Sequence, residues 1–399
     1  MELICSHEQC TGCSLCAQVC PTECISMTYD IDGFMFPLVH EKQCVSCGVC
    51  SMKCPVNNEP KRYAVAEDVY VLHSNDHEVM KTSQSGGAVR EFARYMIKEG
   101  GYVFGVEWEN NFMNAKHNCT DNFADTLRFA GSKYIGSVVG DSYVRVKQIL
   151  DSGKPVLFTG TPCQIAGITN FLQKPYESLY TIDFICYGVG STSVYREALT
   201  CLSKSMQPIT KVELRHKDNR YSKTFGSFVV QSGNKTVFQK PFYESLYGLP
   251  YAFRLIHRLS CQNCRYADIK RVSDVTVADN PHGESIYEKK FGSSYVFANS
   301  DKGKVLISNI LQRCTAVRHS TRNANVMKKV SKRYFTPGEP SVDRDAVFQL
   351  LRKEGFDATA KKYFKRHIKS RVRDVLSSLL PHALKSWLRK MRKMQNDKT

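Results

Sequence analysis

Residues 10–21 read CTGCSLCAQVCP, and residues 44–55 read CVSCGVCSMKCP. Each stretch sets four cysteines and a proline at the spacing Cys-x2-Cys-x2-Cys-x3-Cys-Pro. The amino-terminal segment MELICSHEQC has neither a basic region nor a long apolar run, so it is not expected to be a secretion signal, and a cytoplasmic location is expected. Because disulfides are uncommon in that reducing compartment, closely spaced cysteines are better explained as metal or cluster ligands.

This spacing holds 4Fe-4S clusters in bacterial two-cluster ferredoxins, where the fourth cysteine of each run binds the other cluster. One cluster is therefore expected on a first cysteine set, which consists of Cys10, Cys13, Cys16 and Cys54. The other is expected on a second cysteine set, which consists of Cys44, Cys47, Cys50 and Cys20. Two structural zinc sites are the alternative, but zinc is commonly held by separated Cys-x2-Cys pairs rather than by three thiols in one loop.

The residues around the two runs complete a small domain. The segment MTYDIDGFMFPLV between them, with Gly33 as a turn residue, predicts a hairpin. Residues 1–60 are therefore predicted to form an α+β ferredoxin domain. Cys5 and Cys24 fall outside the spacing pattern and are expected to be free thiols that pack as small apolar residues.

Beyond residue 63, short apolar runs alternate with helical periodicity, which predicts an α/β domain. Three buried strands are expected in the stretches YVFGVEW (102–108), KPVLFTG (154–160) and YTIDFICYG (180–188). Helices are expected over residues 85–100 and 162–173, the second with Pro162 in its first position after Thr161.

Six motifs occur in order in this region: SQSGGAV (83–89), RFAGSKYIGS (128–137), VLFTGTPCQIAGITNFL (156–172), IDFICYGVGS (182–191), SCQNC (260–264) and SDVTVADNPHG (273–283). Together they resemble the coenzyme F420 hydrogenase/dehydrogenase beta-subunit family over roughly residues 63–315. The resemblance implies FAD, a 4Fe-4S cluster, and electron transfer between iron-sulfur clusters and an organic hydride acceptor. ADNPHG departs from that family's usual GD-x-WG pattern, and Tyr187 stands where many relatives have histidine, so the substrate stays open.

The resemblance also implies a third 4Fe-4S cluster in the α/β domain. Its ligands would be the cysteine of GTPC, that of FIC and both of CQNC, a third cysteine set consisting of Cys163, Cys186, Cys261 and Cys264. These residues follow predicted strands or begin a predicted helix, where sites of α/β proteins lie. A zinc knuckle at residues 261 and 264, or ordinary core cysteines at 163 and 186, are the alternatives. The remaining cysteines, Cys119, Cys201 and Cys314, are expected to be structural.

Two glycine-rich segments are the candidates for FAD binding, because their backbone N–H groups can approach a pyrophosphate. The candidate residues are Ser85, Gly86, Gly87, Gly131, Ser132, Lys133 and Tyr134. The alternatives are a plain helix cap at residues 85–87 and a solvated surface charge at residue 133. Four basic residues are candidates for contact with an anionic substrate, or else ordinary surface: Arg215, His216, Lys217 and His282.

The net charge of +18 is concentrated at the carboxyl terminus, where residues 352–399 carry 15 Lys or Arg against 4 Asp or Glu. Residues 316–345 are predicted to be a linker, and residues 346–399 a basic helical tail. Apolar residues recur at helical spacing from Val372 to Leu380 and from Leu384 to Met391, which predicts an amphipathic helix pair. It would lie on the inner face of the membrane or pack on the protein body. No nucleic-acid partner is expected, because no binding fold accompanies the charge.

The sequence therefore predicts an iron-sulfur flavoprotein that takes single electrons from a ferredoxin-like redox partner and reduces a small or lipid-linked organic acceptor. Relatives with a fused ferredoxin domain suggest a place in surface polysaccharide biosynthesis. One alternative is an electron-transfer subunit that feeds a partner enzyme without a substrate of its own. Another is a protein whose clusters only sense oxidants or iron.

Overall fold

The protein is described by a computed structural model over residues 4–109, 111–203, 208–217, 226–280, 283, 285–338 and 343–364. The amino-terminal part contains the predicted hairpin. Strand β1 (Ile25–Tyr29) pairs antiparallel with β2 (Met35–Val39). Gly33 has a φ of 82°, a left-handed conformation that glycine adopts without a steric penalty. The hairpin prediction is confirmed.

Two short helices lie inside the cysteine runs at equivalent places and reveal the internal repeat. The helix Leu15–Gln18 begins after Ser14, and the helix Val49–Met52 begins after Gly48; both preceding residues have left-handed backbone conformations. A 3-10 turn, Glu41–Gln43, precedes the second run. The chain therefore bends in the same way inside each cysteine loop.

The rest of the chain is organised by a nine-stranded sheet. Its strands are β3 (Asp68–Ser74), β4 (Tyr102–Trp108), β5 (Ala115–Thr120), β6 (Ser137–Val138), β7 (Val156–Thr159), β8 (Leu179–Phe184), β12 (Val275–Asn280), β13 (Ser293–Ala298) and β14 (Cys314–Ser320). They lie side by side in the order β14-β3-β13-β12-β8-β7-β4-β5-β6. The central strands from β12 to β4 run parallel, whereas β13, β3, β14 and β5 add antiparallel pairs. The sheet is mixed, and this agrees with the predicted α/β class.

The predicted strands and helices are present in the structure, with one difference. β4 and β7 occupy the first two predicted stretches, and helices Ala88–Lys98 and Pro162–Leu172 occupy the predicted helical ones. β8 ends at Phe184, earlier than the predicted strand, so Cys186 lies in the loop that leaves the carboxyl end of the sheet. The early end leaves this cysteine outside the hydrogen-bonded part of the sheet.

Further helices surround the sheet: His77–Thr82, Ser142–Asp151, Thr192–Ser203, Gly248–Ala252, Leu259–Gln262, Ile286–Phe291, Asp301–Ser308 and Ala324–Met327. 3-10 turns cover Ala124–Phe129, Phe242–Glu244, Leu311–Arg313 and Lys332–Tyr334. A separate antiparallel sheet consists of β9 (Ile209–His216), β10 (Ser227–Ser232) and β11 (Lys235–Pro241), with β10 in the middle. Within the residue ranges given above, no helix is long and apolar enough to cross a bilayer.

The boundaries predicted for the carboxyl-terminal third need correction. Residue 315 lies inside β14, which pairs along its length with β3, so the sheet continues into the predicted linker. The helix Arg344–Thr359 packs Val347 and Phe348 into the main hydrophobic core, and a π-helical turn, Ala360–Phe364, follows it. The first part of the predicted tail is thus core structure. The amphipathic pair predicted at 372–391 lies outside the described residues.

The amino-terminal domain is packed closely against the α/β part. Phe34 of the hairpin is buried in the main core, 5.9 Å between ring centroids from Phe348. A Cβ atom on Gly33 would lie only 2.4 Å from the backbone nitrogen of Ser193, so only glycine permits this approach. The two parts are therefore joined by a shared hydrophobic core as well as by the polypeptide chain.

A buried tyrosine fastens the first cysteine run to the helix Pro162–Leu172. The Tyr143 hydroxyl lies 2.9 Å from the carbonyl oxygen of Cys13 and 3.1 Å from that of Gln164. Replacing Tyr143 by phenylalanine leaves both buried carbonyls without this donor, so we expect a loss of about 1–3 kcal/mol in the free energy of unfolding. Denaturant unfolding followed by circular dichroism would measure it. Tyr176→Phe is the control, because that hydroxyl bonds to the exposed Asp151; an equal loss there would contradict the prediction.

Candidate functional site

The structure gathers the first cysteine set around one cavity of about 340 Å³, part of which is open to solvent. All four members line it: Cys10, Cys13, Cys16 and Cys54. Cys10 and Cys13 lie in the loop that leads into the helix Leu15–Gln18, Cys16 lies in that helix, and Cys54 comes from the second run. This exchange between the runs is the one that the ferredoxin spacing predicts.

The second cysteine set lies at the surface of the same domain. Cys47 is exposed, and Cys44, Cys50 and Cys20 are partly buried. The loop around Cys47 is exposed as well, with Val45 64% accessible. This set therefore has the easier access to a partner protein.

The third cysteine set lines a larger cavity of about 530 Å³, also partly open. All four members contribute: Cys163, Cys186, Cys261 and Cys264. They are separated by up to about a hundred residues in the sequence, so only the tertiary structure brings them together. A cavity lined by all four cysteines is what a single four-cysteine site would require.

The elements that carry the third set are fixed by local interactions. Thr161 and Pro162 begin the helix that carries Cys163, and the Gln164 Oε1 atom accepts a hydrogen bond of 3.0 Å from the Thr161 N–H. Pro162 is in the first position of the helix, as predicted. Cys261 follows a turn in which its own N–H donates to the Arg258 carbonyl at 3.0 Å.

A buried ion pair connects the segment that carries Cys186 with the segment that carries Cys264. The Arg271 guanidinium lies 2.9 Å from Asp183, and both side chains are almost fully buried. Asp183 is in β8, just before Cys186, while the Arg271 Nη1 atom donates at 2.7 Å to the carbonyl of Tyr266, which follows Cys264. The pair therefore sets the distance between these two cysteine-bearing segments.

Burial favours the protonated form of the Cys163 and Cys261 thiols in the third set. Burial raises the pKa of Cys163 to about 12 and that of Cys261 to about 11. A thiol in such surroundings ionises only when a positive charge such as iron compensates the thiolate. Within the described ranges, no three His, Cys, Asp or Glu side chains converge on the position of a single metal ion.

The first and third cavities are neighbours. Thr11 lines both of them. Cys13 of the first set packs in one hydrophobic cluster with Cys163 and Cys264 of the third, and Tyr266 belongs to the same cluster. Cys54 of the first set packs instead with Cys20 and with other members of the second set. The first set therefore lies between the other two.

The two segments predicted to bind FAD are also brought together. The Gln84 side chain donates to the Arg215 carbonyl at 2.9 Å and accepts from the Ser132 N–H at 3.3 Å, so it bridges the segments 84–87 and 131–134. Gly131 has a φ of 80°, and a Cβ atom there would meet nothing within 4 Å. Gly87 precedes the helix Ala88–Lys98 in a left-handed conformation. Left-handed glycines of this kind let a backbone approach a diphosphate closely, although the Ser132 N–H already donates to Gln84.

Ser85 and Gly86 have structural contacts of their own. The Ser85 hydroxyl donates to the Ser293 carbonyl at 2.6 Å, and the Gly86 N–H donates to Ser294 at 3.0 Å. A Cβ atom on Gly86 would lie 2.4 Å from the Leu72 carbonyl oxygen, so glycine is required here for packing against the sheet. The segment 85–87 thus anchors the helix to the sheet in addition to any role towards a ligand.

Lys133 and Lys217 are not solvated surface charges. The Lys133 ammonium donates to the carbonyl of Ala130 at 2.8 Å and to three adjacent carbonyls, and burial lowers its pKa to about 7. Lys217 contacts the carbonyls of Met80, Ser85 and Phe291, and burial lowers its pKa also to about 7. Both lysines therefore stabilise the loops around the predicted FAD segments.

The other basic candidates differ in their surroundings. Arg215 is buried, with its guanidinium 2.6 Å from Asp279 and 3.2 Å from the Tyr134 hydroxyl. His216 lies 2.8 Å from Glu213 at a partly exposed position. His282 lies outside the described residues. Nothing along the chain indicated that Arg215 is buried, because its ion-pair partner is 64 residues away.

Two cysteines that fall outside the ligand spacing lie beside the first and second cysteine sets. Cys5 lines the first cavity, and its hydrogen bond is the main cause that lowers the pKa of Cys10 to about 6. The Cys24 sulfur lies 3.4 Å from the Cys20 sulfur of the second set. In the sequence, only the nearness of Cys5 and Cys24 to the two cysteine runs indicates these positions, since neither residue matches the ligand spacing.

Comparison with known proteins gives two family matches. Residues 153–321 match the model for the carboxyl-terminal part of the coenzyme F420 hydrogenase/dehydrogenase beta subunit. Residues 9–58 match the model of the 4Fe-4S dicluster domain. None of the curated proteins compared with the chain matches it.

Among solved structures, the chain is similar to one from a xenon-derivatised F420-reducing [NiFe] hydrogenase complex of Methanosarcina barkeri. The sequences are 18% identical, the alignment covers 75% of this chain and 91% of the other, and the TM-score is 0.45. The match at residues 153–321 includes the last four of the six motifs, and the match at residues 9–58 includes both cysteine runs, which confirms the resemblance. The motifs at 83–89 and 128–137 lie before the matched range. The chain thus resembles a fusion of a 4Fe-4S dicluster domain with the carboxyl-terminal part of a coenzyme F420 hydrogenase/dehydrogenase beta subunit.

Proposed function

We propose that this chain is an iron-sulfur flavoprotein oxidoreductase that accepts single electrons at its dicluster domain and reduces an organic acceptor in its α/β domain. The observation that carries the proposal is the adjacency of the first and third cysteine cavities, which share Thr11. An α/β domain with a cluster of its own, placed directly beside a dicluster domain, is suited to continuing an electron path.

The arrangement of the three sets suggests that electrons pass from the protein surface to its interior. The second set, with the exposed Cys47, would face a ferredoxin-like redox partner. The first set lies between the second and the third, in contact with each through the clusters of buried side chains that contain Cys54 and Cys13. Each set would hold one 4Fe-4S cluster, and such clusters supply one-electron transfer when bound.

FAD would be held by Ser85, Gly86, Gly87 and by the segment Gly131, Ser132, Lys133 and Tyr134. When bound, it would supply the exchange between one-electron carriers and a two-electron hydride acceptor. The protein's own part is positioning. Tyr134 packs 4.7 Å from Tyr251, and Tyr251 lies 5.9 Å from Tyr187, both between ring centroids. Tyr187 lines the third cavity, so aromatic side chains connect that cavity with the FAD segment.

The acceptor would enter near the same aromatic side chains. Tyr187 and Tyr243 are each 38% exposed, and the Arg215–Asp279 pair lies close to Tyr243. A small or lipid-linked metabolite, such as an intermediate of surface polysaccharide synthesis, is the acceptor class we propose. The basic tail that would bring the chain to a membrane is proposed from sequence alone.

Flavin analysis of the anaerobically purified full-length chain tests this function. We expect about one FAD per chain, because the α/β domain has one pair of candidate segments. Mixing with a pre-reduced ferredoxin in a stopped-flow spectrometer should then bleach the flavin absorption. A protein that retains its clusters but binds no flavin would contradict the proposal and would favour a sensor of oxidants or iron.

The second candidate function is an electron-transfer subunit without a substrate of its own. The exposure of the second set favours a protein electron donor under both candidate functions. The two functions differ in the fate of reduced flavin. Reoxidation by a small organic hydride acceptor supports the oxidoreductase, whereas reoxidation only by another protein supports the electron-transfer subunit.

The entry point can be tested at Cys47. Replacing Cys47 by alanine should remove one cluster, or about four irons per chain, since three thiolates remain in that set. Reduction of the remaining centres by ferredoxin should slow, while reduction by the small reagent dithionite should be less affected. Val45→Ser, at an exposed position of the same loop, is the control. Equal slowing with both donors would show that electrons do not enter at this set.

A further inference from the structure

Among the described residues, Arg258 is a buried cation without a carboxylate partner. Its side chain is 3% exposed, and its Nη2 atom is buried without a hydrogen-bond partner in the part of the chain that the structure describes. Its Nε atom donates at 2.6 Å to the carbonyl of Cys10. Its Cζ atom lies 4.0 Å from the ring centroid of Phe36. A neutral carbonyl and an aromatic ring stabilise a guanidinium less than an anion does, so the charge is incompletely compensated.

Three other buried arginines have acidic partners. Arg271 is paired with Asp183, Arg215 with Asp279, and Arg344 with Asp345. Arg344 is a close counterpart of Arg258, because the Cζ atoms of both lie 5.9 Å from the ring centroid of Phe34. What distinguishes Arg258 from these three is that the ionisable groups beside it are cysteines, among them Cys10 and Cys261.

The position of Arg258 joins the first and third cysteine sets. Its side chain reaches the loop of the first set, where a Cβ atom on Gly12 would lie 3.1 Å from Nη1. Its backbone belongs to the third set's segment, since its N–H donates to the Val189 carbonyl at 2.9 Å and its carbonyl accepts from Cys261. Val189 and Cys261 both line the third cavity. A positive charge is thus fixed between two sites that thiolates and iron-sulfur clusters would make negative.

We propose that Arg258 is a positioning residue that raises the reduction potential of the cluster held by the first cysteine set. Adding an electron makes a cluster more negative, and a fixed cation nearby favours that change, most strongly where water is excluded. The charge would also favour electron transfer from the second set to the first set, before transfer to the third set. The inference rests on the dicluster domain and on the first-set ligands, and it does not require FAD.

The test is a redox titration of the full-length holoprotein followed by electron paramagnetic resonance. In Arg258→Gln the charge is removed while a side-chain donor remains. We expect the reduced-to-oxidised ratio of one cluster to fall by about tenfold at a fixed potential, which corresponds to about 59 mV for one electron. Arg258→Lys should retain the wild-type potential, because it keeps the charge.

Arg344→Gln is the matched control, because it removes a buried arginine whose charge already has a carboxylate beside it. We expect its potentials to equal those of the wild type. A wild-type potential in an Arg258→Gln protein with full iron content overturns the proposal. If that variant loses iron, Arg258→Lys decides: full iron at the wild-type potential supports a role for the charge, and loss of iron there too overturns it. Absence of flavin or of a third cluster would refute the proposed function without altering this result.

Discussion

Replacing Cys261 by alanine should leave about eight irons per chain where the wild type holds about twelve, because a cubane has four irons and the dicluster domain keeps two clusters. Cys261 lines the third cavity together with the three other members of its set. Flavin reduction by ferredoxin should be lost or nearly lost, because in the proposed path the third cluster is the one that would pass electrons to FAD. Iron analysis and stopped-flow spectroscopy measure the two effects.

The matched control is Cys201→Ala. Cys201 is a partly buried cysteine that packs on the main hydrophobic core and lines neither of the two cavities described above. It should keep the full iron content and the wild-type rate of flavin reduction. The third-cluster assignment would be wrong if Cys261→Ala also retained about twelve irons.

Replacing Arg271 by methionine should destabilise the protein by about 3–5 kcal/mol, because it leaves the carboxylate of Asp183 buried without its ion-pair partner. Both side chains are at most 2% exposed. The same change should also lower the iron content of the third site, because Arg271 holds the Tyr266 carbonyl and Asp183 lies in the strand before Cys186. Denaturant unfolding and iron analysis are the measurements.

A surface ion pair provides the comparison. Arg352 lies 3.2 Å from Asp32 with 41% of its side chain exposed, so Arg352→Met should cost less than about 1 kcal/mol. If Arg271→Met lost no more stability than this control and kept all its iron, the ion pair would not be what positions the two cysteine segments.

The dicluster domain could be predicted almost completely from the sequence because its information is local. The ligand spacing occurs within two short runs, and Gly33 marks the turn between β1 and β2. Strands such as β4 were likewise visible as short apolar runs. Spacing and turn chemistry determine these features with little help from the rest of the chain.

Features that depend on distant contacts could not be predicted from spacing. Strand β14 has few buried residues and an exposed, polar sequence, so nothing in it revealed that its backbone completes the edge of the sheet beside β3. Lys133 looked like a surface or phosphate-binding charge, but loop carbonyls surround its ammonium group. For the third set, the motifs indicated the four residues, and only the folded chain shows that they line one cavity.

The contacts of Arg258 are another feature that could not be predicted from the sequence. Its sequence neighbours in HRLSCQNC include the cysteines of the third set, whereas its side chain contacts the first set through Cys10. The pairing of a cation with a cysteine loop 248 residues away has no signature along the chain. Electrostatic tuning of a cluster therefore has to be inferred from burial and contacts in three dimensions.

The most direct test of whether three cysteine sets form three cluster sites is a count of iron and acid-labile sulfide in the full-length chain after anaerobic reconstitution. We expect about twelve of each per chain, since every 4Fe-4S cluster contributes four irons and four sulfides. About eight of each would contradict this expectation, because it would mean that the cavity lined by Cys163, Cys186, Cys261 and Cys264 holds no cluster.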